Sequence, residues 1–115
     1  MNNEFENHYV LADMLLELEI ALRECGVWEC DQPSLEALAS VEPFCIDTMD
    51  FSQWLRFVMI ERFKSILEAG ATLPTRCQIS PMATEAFKLY SHGHVSKIVK
   101  VIDNIDDHLN RQNQD

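Results

Sequence analysis

The chain has 115 residues, of which 47% are hydrophobic and 24% charged, and it carries a formal net charge of −10. These values fit one soluble globular domain, residues 1–115, able to bury roughly 60–70% of its unfolded surface without help from a metal or disulfide. They exclude a bilayer-spanning segment, since no apolar run approaches the about 20 residues needed, and a glycine-rich phosphate loop, since Gly26, Gly70 and Gly93 stand alone.

The first helix is predicted over 7–25. Leu11, Met14, Leu15, Leu18, Leu22 and Cys25 recur at spacings of three and four, with Ala21 and Tyr9 or Val10 alongside. Asp13, Glu17, Arg23 and Glu24 fall on the other side, and Gly26 supplies the left-handed residue that closes a helix. Residues 26–50 are the least regular part. Ser34 is a fitting N-cap for a short helical turn through Ala39, and Pro33 and Pro43 bracket that turn. Trp28, Phe44, Ile46 and Met49 are expected to pack the connection onto the body, because long slack connections are uncommon in small domains.

Asp50, with Gln53 three residues later, opens the second long helix with a pair resembling a capping box. Phe51, Trp54, Leu55, Phe57, Val58, Met59, Ile60, Phe63, Ile66 and Leu67 follow, and from Trp54 to Ile60 only Arg56 is charged. A helix apolar around most of its circumference is buried on several sides, so this one is expected at the centre. Gly70 ends it. Ser80 and Pro81 read as the N-cap and first position of a short third helix over 81–91, with Met82, Ala83, Ala86, Phe87 and Tyr90 inward. His92-Gly93-His94 reads as a turn. The fourth helix then places Val95, Ile98, Val99, Ile102, Ile105 and Leu109 on one stripe, with Lys97, Lys100, Asp103 and Asp107 facing water. The tail 110–115 is expected to fray. The sum is an all-α fold, a four-helix up-and-down bundle with a long ordered connection between the first two long helices.

The charge is unevenly placed. Residues 1–50 hold twelve acids and one base, Arg23, a balance of −11, whereas residues 51–115 hold eight bases and seven acids, a balance of +1. Nucleic-acid binding rests on Lys and Arg neutralising phosphates, so direct contact with nucleic acid is not expected. Either the acidity serves solubility alone, or it steers encounter with a basic protein partner. The start Met1-Asn2-Asn3-Glu4-Phe5-Glu6 lacks the pattern of a signal peptide. A cytoplasmic location with four reduced cysteines follows as the expectation, as a monomer or a homodimer.

The signatures of chemistry are weak. Cys25 and Cys30 stand five apart, Cys45 and Cys77 stand alone, and His92 and His94 flank a glycine; none of this is zinc-ligand spacing, and no cofactor is expected. No local signature sets a nucleophile against a base. The segment 42–54 is the most distinctive, with Asp47 and Asp50 straddling Thr48. Its side chains serve either as caps and turn formers or as a binding ledge anchored by Trp28, Phe44 and Trp54. The candidate surface is therefore Trp28, Glu29, Asp31, Phe44, Asp47, Thr48 and Trp54. Trp54 sits in the apolar run, so Trp28, next to Glu29 and near Asp31, is expected to be the more exposed of the two tryptophans.

Trp28 with Pro33, Pro43-Phe44 with Asp47-Thr48-Met49, Trp54-Leu55, Arg62, Leu73-Pro74 and Pro81 together resemble the YqcC-like family of small bacterial proteins of unknown function. The likeness extends over roughly residues 10–105. It implies a small four-helix bundle and brings no catalytic residue with it. Members are often labelled as tRNA pseudouridine synthase C, and their genes commonly lie beside one for such an enzyme. That activity needs a catalytic aspartate on a strand-rich scaffold able to hold a flipped uridine, which this short, acidic, helical chain does not offer. The reading leans away from an enzyme. It favours a non-catalytic accessory module, associated with a tRNA-modifying enzyme, whose acidic first half and 26–50 segment dock a basic protein. The alternative is a small-ligand-binding bundle or cryptic enzyme with a pocket near 26–55.

Overall fold

The computed structural model describes residues 4–88, 90 and 92–111. Among them the fold is all-α, with five helices, four of them seven residues or longer, and no strand. Helix α1 is Glu4–Cys25 and the short α2 is Leu35–Leu38. The long helix α3 runs over 51–69 in three pieces: α-helical Phe51–Trp54, π-helical Leu55–Ile60 and α-helical Glu61–Ala69. The sequence predicts it at the centre, whereas the main packing joins α1 to the last helix. Helix α4 is Ser80–Ala86 and α5 is His92–Arg111.

The helix ends follow from local chemistry. Gly26 and Gly70 adopt φ of +80° and +61°, which costs glycine nothing. Each closes its helix in the same way. The amide of Val27 bonds Leu22 O at 3.1 Å and that of Gly26 bonds Arg23 O at 3.1 Å; Ala71 bonds Ile66 O at 3.0 Å and Gly70 bonds Leu67 O at 3.2 Å. These are Schellman pairs, which satisfy carbonyls that the helix leaves open. Ser34 Oγ accepts from Ala37 N at 3.1 Å, and Gln53 Oε1 accepts from Asp50 N at 2.8 Å, as the sequence leads one to expect.

The π segment was not legible in the sequence. Leu55 and Ile60 are five positions apart, which on an α-helix sets them about 140° around the axis. Both are nevertheless fully buried. The wider π turn, closing i to i+5, narrows that separation, and so lets one helix keep facing the core across a run of six large side chains.

The core is built mainly where α1 meets α5, with α4 laid on α5. Leu11, Leu18 and Leu22 of α1 and Ile98, Ile102, Ile105 and Leu109 of α5 are buried together with Leu55, Met59 and Ile60 of α3. An aromatic series leads out of this core: Trp54 stacks on Phe51 at 5.7 Å, Phe51 meets Phe87 edge-on at 5.8 Å, and Phe87 meets Tyr90 edge-on at 5.3 Å. Such pairs stabilise beyond the area they bury.

Several expectations are corrected. The sequence His92-Gly93-His94 is the first turn of α5 rather than a turn between helices. Helix α4 stops at Ala86, and Tyr90 is 45% exposed rather than fully inward. Ile46 is exposed rather than packed, and Tyr9 points away from the core. Asn110 does not fray: its side chain pairs with the Cys77 peptide, accepting from Cys77 N at 2.9 Å and donating to Cys77 O at 2.8 Å. The rest of the tail, 112–115, lies outside the described residues.

Ser80 is not the N-cap of α4; it is the first helical residue. The open amides there are met by Asp106, one turn before Asn110 on α5. Its carboxylate accepts from Ile79 N at 2.9 Å and from Ser80 N at 2.8 Å. Asp106 is the buried charged residue among those described, and every buried side-chain N or O atom among them has a partner. An acidic group at a helix N-terminus is stabilised by the open N–H groups and the helix dipole.

Burial, with the Asp106 carboxylate beside it, pushes the Cys77 thiol well above its ordinary range. Burial also raises Cys25 and Cys30. A higher thiol pKa leaves less thiolate at a given pH, and thiolate is the nucleophile. Iodoacetamide at pH 8 should therefore modify Cys77 last of these three, with Cys25 and Cys30 ahead of it by mass-spectrometric time course. Labelling of Cys77 ahead of Cys25 and Cys30 would contradict the packing described.

Candidate functional site

The connector between α1 and α3 is held in place by side-chain hydrogen bonds. Gln53 Nε2 donates to Asp31 O at 2.8 Å and Arg56 Nη1 donates to Trp28 O at 2.6 Å, tying the first stretch to α3. Thr48 Oγ1 lies 2.8 Å from Ala37 O and 3.2 Å from Cys45 O, and Ser40 Oγ donates to Asp47 Oδ1 at 2.6 Å. Asp47 and Thr48 thus fold the segment onto itself, as the turn-forming reading has it. Between them and α2, Phe44 and Cys45 both take left-handed backbone, with φ of 59° and 49°. Two successive non-glycine residues there are strained. The strain is held by packing: Cys45 is buried, and the Phe44 ring meets Trp54 edge-on at 4.9 Å and Phe51 at 5.9 Å.

Trp28 is the clearest correction. It is 8% exposed and belongs to the core, rather than standing out beside its acidic neighbours. The Arg56 guanidinium lies 4.4 Å from its ring centroid and that of Arg23 lies 4.9 Å away. Two cations against one indole give it a polar cover, so that burial of the ring keeps both charges at the surface. Sequence reasoning could not see this, because Arg23, Trp28 and Arg56 come from three separate elements. Trp54 is half-buried within the aromatic series.

The candidate residues therefore fall into two groups. Phe44 and Trp54 are in contact, and Asp47 and Thr48 brace the turn beside them. Glu29 and Asp31 are exposed, while Trp28 is taken up in core packing under Arg23 and Arg56. No ring contact joins Trp28 to Phe44 or Trp54 among the described residues.

What the connector offers outward is acidic and apolar. Glu29, Asp31, Glu36, Glu42 and Asp47 are exposed, and none of them enters an ion pair among the described residues. Between them stand Leu35 at 87%, Val41 at 95% and Ile46 at 57% exposure. An open depression of about 250 Å³ lies elsewhere, between α1 and α5, lined by Glu17, Ile20, Ala21, Glu24, Lys97 and Val101. Among the described residues no group of His, Cys, Asp or Glu is placed to hold a metal ion, and no helix is long and apolar enough to cross a membrane.

Residues 10–108 match the DUF446 family, described as tRNA pseudouridine synthase C, and the chain belongs to that family. It is 37% identical over 91 residues to an uncharacterized protein of Haemophilus influenzae, covering 79% of this chain and 80% of that one. It is 36% identical over 67 residues to the uncharacterized protein YqcC of Escherichia coli, covering 58% of this chain and 62% of the relative. A tRNA pseudouridine synthase C of Pectobacterium carotovorum is 40% identical over 60 residues, which is 52% of this chain but 16% of that protein. No solved structure matches.

Proposed function

We propose that this chain is a non-catalytic accessory module, its four longer helices arranged up and down, that docks a basic protein partner through the connector, and that the partner is a tRNA-modifying enzyme. The observation that carries the reading is the connector itself: exposed acids interleaved with exposed apolar side chains, on a backbone held by hydrogen bonds to α3 at Trp28 and Asp31 and by bonds within its own 37–48 turn. A fixed ledge binds at less entropic cost than a slack loop, and its charge steers a partner of opposite sign. The choice of enzyme draws support from the family description and from the partial likeness to a tRNA pseudouridine synthase C, where a segment similar to this chain is a small part of a longer protein. No observation favours the ligand-pocket alternative near 26–55, since Trp28, Phe44 and Trp54 are engaged in packing.

The test is a titration of the purified protein with the tRNA pseudouridine synthase C encoded in the same genome, followed by calorimetry. Binding is expected, weakening as salt rises. The triple reversal Glu29→Lys, Asp31→Lys, Glu36→Lys should weaken it by about tenfold or more, close to 1.4 kcal/mol. All three side chains are exposed, so folding should not change. Binding insensitive both to salt and to the reversal would overturn the reading.

A further inference from the structure

Helix α1 is apolar on two sides. Leu11, Leu15, Leu18 and Leu22 face the core. Tyr9, Leu16 and Ile20, which are 68%, 59% and 49% exposed, fall within about 40° of arc on the opposite side, and Phe5 lies at the end of the same line. At the edge of this stripe, turned toward α5, stand the exposed acids Glu6, Asp13, Glu17 and Glu24. Ile20 also lines the depression shared with Ala21 and Val101, at whose rim Lys97 Nζ lies 3.4 Å from Glu24 Oε2. Large apolar side chains in a row on a solvent-facing helix mark an interaction surface.

Which partner the stripe takes is decided by its edge. A second copy of this chain would set the same carboxylates against each other, and each copy already carries a net −10. A helix with apolar anchors and flanking Lys or Arg would instead meet acids along the edge turned toward α5, where Asp13 and Glu17 stand exposed and Glu24 lies beside Lys97. We infer that the outward face of α1, from Tyr9 to Ile20 with the adjoining depression, binds a basic amphipathic helix of a protein partner. This rests on the accessory-module reading and names a second contact surface, separate from the connector. Apolar anchors at helical spacing supply the affinity, and Asp13, Glu17 and Glu24 select the sign of the partner.

The experiment uses the whole chain and a fluorescein-labelled synthetic amphipathic peptide with leucines on one face and lysines on both flanks. Anisotropy should report binding, and amide shift changes in a two-dimensional NMR spectrum should fall on α1 and on the α5 residues around Lys97 and Val101. The double substitution Leu16→Ser, Ile20→Ser should weaken binding by about tenfold or more without lowering the melting temperature, since both side chains are exposed. The connector triple reversal at Glu29, Asp31 and Glu36 should leave peptide affinity within about twofold. The same peptide with glutamate for lysine should not bind. The inference is overturned if the wild-type chain does not bind, or if Leu16→Ser, Ile20→Ser binds as well as wild type. It also falls if sedimentation shows a dimer that this double substitution dissociates. Should the connector reversal abolish peptide binding while the α1 double substitution does not, the connector reading survives and the α1 surface does not.

Discussion

Phe87→Ala is expected to destabilise the protein by about 3–5 kcal/mol, lowering the melting temperature by roughly 10–20 °C. Phe87 is among the largest fully buried side chains and joins Phe51 on one side to Tyr90 on the other. Removing the ring deletes both edge-on contacts and leaves a cavity beneath α4, which packs on α5. The site is poorly able to collapse, because Ala83, one turn earlier in α4, is already small and fully buried. Urea denaturation followed by circular dichroism measures the loss. A cost below about 1 kcal/mol would mean that α4 slides inward to fill the space, and that the aromatic series is less rigid than described.

Asp106→Ala is expected to cost about 2–4 kcal/mol, and Asp106→Asn about half of that. The carboxylate accepts from the Ile79 and Ser80 amides inside a buried site. Each buried amide left without an acceptor costs about 1–3 kcal/mol. Asparagine keeps one carbonyl oxygen for the same amides but loses the charge that favours a helix N-terminus. Asn110→Ala, which breaks the paired bonds to the Cys77 peptide, should fall between the two. If Asp106→Ala lies within about 0.5 kcal/mol of wild type by urea titration, water takes the place of the carboxylate, and the bracing of 77–80 by α5 is not what orders that segment.

Sequence periodicity located the long helices because their stripes repeat at three and four, and the caps at Ser34, Asp50, Gly26 and Gly70 were legible because each is a local matter of one side chain or one φ angle. What stayed hidden depends on residues far apart in the chain. Ser80 reads as a cap by itself, yet Asp106 takes that role from another helix. The sequence does not single out Asp106; its position four residues after Ile102, on the side of the apolar stripe, is the signal that was available. Trp28 next to Glu29 read as exposed, and only the meeting of Arg23 and Arg56 over its ring explains why it is not. In the candidate site, the pairing of Phe44 with Trp54 was foreseeable from the compact 42–54 segment, whereas the outward stripe of α1 was obscured by a stronger stripe on the same helix.

The pairing of α1 with α5 has a consequence for how the chain is made. Contacts across this pair join residues 73 positions apart at Lys97 and Glu24, and 101 apart at His108 and Asn7. During synthesis α1 therefore leaves the ribosome with neither apolar side covered, and waits on the order of ten seconds for its main packing partner. Closing such distant contacts late slows folding compared with a bundle of sequence neighbours. The carboxylates crowded into the first half would then act before any partner is met, keeping the nascent helix apart from other chains through mutual repulsion until α5 arrives.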